Sequence, residues 1–113
     1  MANEVIRCTE ALISAMMSSD EYQTYLKYEE ELKQKPELRQ RIDEFRSRNY
    51  RLQKQEGVDL YDAVDHLERE YEHLRRDTFA NGYLEAELAV CRMMQNVQIA
   101  MVKSLNISIP DEV

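Results

Sequence analysis

Glycine and proline are scarce, with two of each in 113 residues. A sheet-rich domain of this size reverses its chain many times and draws on those residues at its turns, so their near absence favours an all-helical chain. Cysteine is equally rare. Cys8 and Cys91 stand alone, without a C-x-x-C partner, and each is expected to be a small buried hydrophobe in a reducing compartment. No glycine loop could cradle a phosphate, and no glycine-flanked Ser or Cys sits at a strand-to-helix turn. These absences exclude the usual nucleotide and nucleophile motifs, and no enzymatic activity or cofactor is expected. Positive charge is the minority sign: 15 Lys and Arg face 22 Asp and Glu, a net −7. That balance argues against general binding to nucleic-acid backbones or anionic membranes. Long apolar runs are missing too. Asn3, Glu4 and Arg7 precede any apolar stretch, and the greasiest segment is broken by Arg92, Gln95, Asn96 and Gln98. Neither a signal peptide nor a membrane span is expected, and the protein is placed in the cytoplasm.

What is present is 43% hydrophobic and 33% charged residues, enough for one domain, residues 1–113, with a modest core. The stretch from Asp77 to Leu105 organises it. Phe79, Tyr83, Ala86, Val90, Met94, Val97 and Met101 recur at steps of three and four, drawing one apolar stripe along a helix of roughly 40 Å over residues 78–105. A second stripe, with Leu84, Leu88, Cys91, Met93, Ile99 and Val102, points elsewhere around the axis. One packing partner cannot cover both stripes. The surface carried by Leu84, Leu88, Cys91, Met94, Ile99 and Val102 is therefore the expected interface, either with other copies, as a dimer or tetramer, or with a protein partner.

The rest reads as four shorter helices, over about 3–17, 19–34, 36–56 and 59–75, in an antiparallel bundle. Asn3 is placed to cap the first, whose inner residues are Val5, Thr9, Leu12 and Met16, with Ile6, Ile13 and Met17 beside them. Ser18-x-x-Glu21 has the form of a capping box for the second, where Tyr22, Tyr25, Leu26 and Leu32 face inward. Pro36 opens the third, with Leu38, Ile42, Phe45 and Leu52 inward and the acid-first pairs Glu37–Arg41 and Glu44–Arg48 along its surface. Gly57 closes it in a left-handed conformation. Asp59 caps the fourth, whose stripe Leu60, Val64, Leu67, Tyr71 and Leu74 alternates four and three like a coiled-coil seam. Asp77 suits the start of the long helix. Asn81-Gly82 is a turn signal in most contexts, but Phe79 stays in phase with Tyr83 and Ala86, so the helix is expected to run through it. The tail after Leu105 should lie extended, with Ile107 and Ile109 as contacts. All connections are short, so consecutive helices should fold back on one another.

Three constellations invite a chemical reading. His66, Glu70 and His73 share one side of the fourth helix, yet Glu70-x-x-His73 is only half of a di-iron carboxylate site and no second Glu-x-x-His exists. A solvated face is the better account. Arg39, Arg41, Arg46, Arg48, Arg51 and Lys54 make the third helix the only basic element. These six bases against Glu37, Asp43, Glu44 and Glu56 leave it at +2 and the remainder at −9. RNA contact through that helix is the alternative to a solvated surface, with nucleic acid not the expected direct ligand. Met93, Met94 and Met101 suit either core filling or an adaptable binding surface.

In order and spacing, several short motifs resemble the YlbF/YmcA family of small bacterial helical regulators. They are Ser19-Asp-Glu-Tyr22-x-x-Tyr25, Glu31-Leu32, Pro36-Glu-Leu38, Ile42-x-x-Phe45, Tyr83-Leu-Glu-Ala-Glu87 and Met94-Gln95-x-Val97, spread over nearly the whole chain. Asp77-Thr78-Phe79 stands where the family often has Asn-Pro-Val. The resemblance implies an all-helical protein without catalytic activity that forms homodimers or larger oligomers. Some members act in a complex that modulates RNA processing by endoribonuclease Y and influences competence, sporulation and biofilm formation. Some carry C-terminal cysteines associated with an iron–sulfur cluster. No cysteine follows Cys91 here, so the fold and the association habit carry over and the cluster does not.

Overall fold

A computed structural model describes residues 2–55, 57 and 59–105. The final tail, with Ile107 and Ile109, and Glu56 at the end of the basic segment lie outside them. Among the described residues the protein is helical throughout: α1 (Ala2–Met17), α2 (Asp20–Leu32), α3 (Pro36–Gln53), α4 (Leu60–Glu70), α5 (Glu72–Arg76) and α6 (Thr78–Leu105).

The boundaries follow local chemistry. Helix α1 already begins at Ala2, so Asn3 lies inside its first turn instead of capping it. Ser19, not Ser18, caps α2, its hydroxyl accepting from the Tyr22 amide at 3.2 Å. Pro36 sits in the first turn of α3, where a missing N–H costs nothing. Gly57 takes φ +77°, the left-handed conformation that glycine adopts without strain, but α3 already ends at Gln53 with Lys54 as its C-cap, so Gly57 lies in the connection and does not close the helix. Asp59 and Asp77 cap α4 and α6 by accepting from the Asp62 and Ala80 amides at 3.2 and 2.9 Å. Helix α6 runs unbroken through Asn81-Gly82 for 28 residues.

The expected fourth helix is two. Tyr71 leaves helical geometry at φ −106°, ψ 25°, and separates α4 from α5. The offset lets Tyr71 lay its ring against Phe45, centroids 5.3 Å apart, while its hydroxyl accepts from Arg48 at 3.2 Å. Beyond the break Leu74 lies in the same core as Leu67 and is 1% exposed.

That core is small: Leu32, Ile42, Phe45, Leu67, Leu74, Ala80, Tyr83 and Leu84, with Tyr25, Tyr28, Leu38, Leu52, Tyr71 and Phe79 against it. It sits where α2 packs along the N-terminal half of α6 and where the α3–α4 hairpin and α5 close over that seam. Gly82 permits the closest approach. A β-carbon there would meet the Tyr28 hydroxyl, with Cζ and Cε1 only 2.8 and 3.0 Å away, and Tyr28 is itself held against Phe79 at 5.3 Å.

Helix α1 departs from the expected bundle. It does not fold back, and Val5, Ile6, Leu12, Ile13 and Met17 all remain exposed. Cys8, expected to be buried, is exposed with them, and Cys91 is only half-buried. The pattern for a packed helix is there, but these side chains are left uncovered by the described residues. The molecule is accordingly a thin slab of 50 × 39 × 16 Å with a radius of gyration of 17.8 Å, where a compact chain of this length would have about 13 Å.

Candidate functional site

Two features stand out: a hydrogen-bonded polar seam that fixes the N-terminal half of α6, and an apolar face that its C-terminal half leaves open.

The seam is centred on Glu29 of α2. Its Oε1 accepts from the Tyr25 hydroxyl at 2.6 Å and the Tyr83 hydroxyl at 2.9 Å, and its Oε2 accepts from Arg39 of α3 at 2.6 Å. Arg46 donates to the Tyr83 oxygen at 3.1 Å and lies 3.7 Å from Glu87, which in turn accepts from the Cys91 thiol at 3.2 Å. The chain of contacts ties α2, α3 and α6 together through charge-assisted bonds. Partial burial pushes the Glu29 carboxyl upward, but hydrogen bonds from Tyr25, Arg39 and Tyr83 outweigh it and hold the group below the usual carboxylate range. Tyr25 is displaced the other way, by burial first and then by its bond to Glu29, so it remains a hydroxyl donor at neutral pH. For Cys91, burial and then the Glu87 bond raise the thiol and keep it from being a ready thiolate.

A pH dependence follows. Folding lowers the Glu29 pKa, so its contribution to stability is present above the unfolded value of 4.5 and is lost as pH falls through the folded value. Wild type should therefore exceed Glu29→Gln in stability at pH 6, with the gap narrowing below about pH 4.5. Urea midpoints of both proteins between pH 6 and pH 3 check this, and a gap that stays constant would refute it.

The basic residues of α3 are largely engaged. Arg39 pairs with Glu29 and Asp43, and Arg46 with Asp43 and Glu87. Arg48 does not use Glu44, four residues earlier, as the sequence pattern suggested. It reaches across to Glu70 of α4 at 2.7 Å, because the hairpin brings that carboxylate and Tyr71 within one guanidinium's span. Glu70 is thereby held below the carboxylate range, chiefly by the Arg48 bond. It is thus an ion-pair partner, and no group of three His, Cys, Asp or Glu among the described residues is placed to hold a metal.

The open face begins one turn beyond the core. Leu84 is 6% exposed and belongs to the core cluster. Leu88 is 44% exposed, Met94 50%, Ile99 51% and Val102 54%, with Cys91 half-buried between them. Every described residue after Val97 is exposed. On another side of the helix a shallow groove of about 530 Å³ runs along Ala89, Arg92, Met93, Asn96, Val97 and Ala100, with Glu21 of α2 in its lining. The sequence pattern located this face but not the contribution of α1, whose apolar stripe is equally bare. Tyr22 and Tyr25, read as core rings, are half-buried at the seam's edge, and Leu26 is 40% exposed.

The chain buries too little of itself. Its accessible surface is 9276 Å², whereas a compact monomer of 13.5 kDa exposes about 6,500 Å². No helix of the described residues is long and apolar enough to cross a membrane.

Neither a curated protein nor a solved structure matches the chain. A family model does, over residues 5–106, and its description is control of competence regulator ComK, YlbF/YmcA. The match takes in all six helices, with the polar seam and the open face, and the chain belongs to this YlbF/YmcA family of regulators.

Proposed function

We propose that this regulator is a non-enzymatic helical adaptor that works in the cytoplasm by protein–protein association. It assembles with copies of itself, as a dimer or tetramer, through Leu88, Cys91, Met94, Ile99 and Val102, with Leu84 anchoring the root of that face in the core. In the assembled form it engages a protein partner, a related regulator, and the control of competence named in the family description is exerted through that assembly. The observation that carries the reading is the surface excess of about 2,700 Å² over a compact monomer, the scale on which obligate interfaces bury area. RNA contact through α3 is the weaker reading, because Arg39, Arg46 and Arg48 are already bound to carboxylates and tyrosines within the chain.

Light scattering and sedimentation at micromolar concentration test this. The wild type should be oligomeric, and Leu88→Glu should shift it to monomer while its helical circular dichroism persists, since Leu88 lies outside the core cluster. A monodisperse wild-type monomer would remove the basis of the proposal.

A further inference from the structure

We propose that α1 is an exchanged arm: it lies antiparallel on the open apolar face of the C-terminal half of α6 of a second copy, whose own α1 returns the contact. This rests on the self-association reading and adds which segment covers which.

Helix α1 is built for burial and has little: of its apolar stripe only Met16 is half-buried. Its apolar residues Val5, Ile6, Leu12, Ile13 and Met17 are exposed. Its junction to α2 is held by local hydrogen bonds. The Ser19 hydroxyl donates to the Met16 carbonyl at 2.6 Å while accepting from the Tyr22 amide. Gln23 Nε2 donates to the Met17 carbonyl at 2.8 Å, and the Ser18 hydroxyl to the Ser14 carbonyl at 3.0 Å. A junction with this many local bonds fixes the angle between α1 and α2 and does not act as a loose hinge.

The dimensions agree. The 16 residues of α1 span about 24 Å, and the open part of α6, from Leu88 to Leu105, spans about 27 Å. Charge selects the direction: antiparallel overlap sets Glu4 beside Lys103, opposite residue 8 to residue 99, and keeps Arg7 away from Arg92. Full parallel overlap would place Arg7 level with residues 93–95 and Glu4 with residues 90–92, so that both signs fall around Arg92, and would leave Lys103 opposite residues 15–17 with no acid there. Two such contacts in a closed two-fold dimer cover both bare surfaces with no unpaired copy left over; a stable interface needs roughly 1,200–2,000 Å², less than the surface excess of about 2,700 Å² over a compact monomer.

The full chain tests it in two ways. Ile13→Glu, on a helix outside the core, should raise the dimer dissociation constant about a hundredfold with helical circular dichroism unchanged. An oligomer that survives Ile13→Glu but falls to Leu88→Glu would overturn arm exchange and leave the self-association reading standing. A wild type that is monomeric would overturn both. Separately, Ile99→Cys in a Cys91→Ser background leaves Cys8 and the new thiol as the only pair. Oxidation should give a disulfide-linked dimer on a non-reducing gel. A link within one chain, showing α1 closed onto its own α6, or no link at all, would overturn the exchange.

Discussion

Tyr83→Ala should destabilise the protein by about 3–5 kcal/mol, the largest single loss expected from a side chain in it. Tyr83 is fully buried and serves two roles at once. Its ring fills the space between α2, α3 and α6, with Tyr25 at 5.8 Å and the Arg46 guanidinium over its face at 5.8 Å. Its hydroxyl donates to Glu29 and accepts from Arg46. Alanine leaves a cavity and strips partners from two charged groups. Tyr83→Phe keeps the ring and should cost about 1–3 kcal/mol, so the pair separates packing from hydrogen bonding. Urea denaturation at one fixed protein concentration measures both, fixed because association adds concentration-dependent stability. A cost below about 1 kcal/mol for alanine would show that the seam is not the centre of the fold.

Gly82→Ala should behave opposite to the helix-propensity rule. In an exposed helix interior, alanine is better than glycine by about 1 kcal/mol. Here the added methyl runs into the Tyr28 phenol, and Phe79 blocks the ring's retreat. Either α2 moves off α6 or the ring leaves its position, and overpacking of that kind costs about 1–3 kcal/mol. A higher denaturation midpoint for Gly82→Ala would show that Tyr28 yields freely. Combining it with Tyr28→Leu should recover most of the loss, since the second change removes what the methyl strikes.

Much of this architecture can be read from residue order. Helix existence, the caps at Asp59 and Asp77, the proline start of α3 and the left-handed Gly57 all follow from chemistry within four residues of each position. So does passage of α6 through Asn81-Gly82, because apolar phase on both sides outweighed a local turn preference. Misreadings fell where a distant partner decided. Tyr71 breaks the fourth helix for the sake of Phe45 and Arg48, residues more than twenty positions away. Arg48 prefers Glu70 to its own helix neighbour. Glu29, hub of the polar seam, looks in sequence like any acid on a solvated face; Tyr25 four residues before it was the only local hint. Cys8, an isolated cysteine of the kind usually buried, is exposed because α1 is, and residue type and periodicity cannot name the surface that does the burying.

Composition and periodicity by themselves determined that this chain is helical, that its final helix is long and continuous, and that this helix carries more apolar circumference than one partner can hide. These are properties of short-range sterics and of spacing along one axis. Tertiary structure decided the rest. It assigned Leu84 to the core and Leu88 onward to the open face, joined Glu29, Tyr83, Arg39 and Arg46 into one seam, and left the apolar stripe of α1 uncovered. The division has one physical cause: a side chain's spacing sets which way it points, but its burial depends on what the remainder of the chain brings opposite.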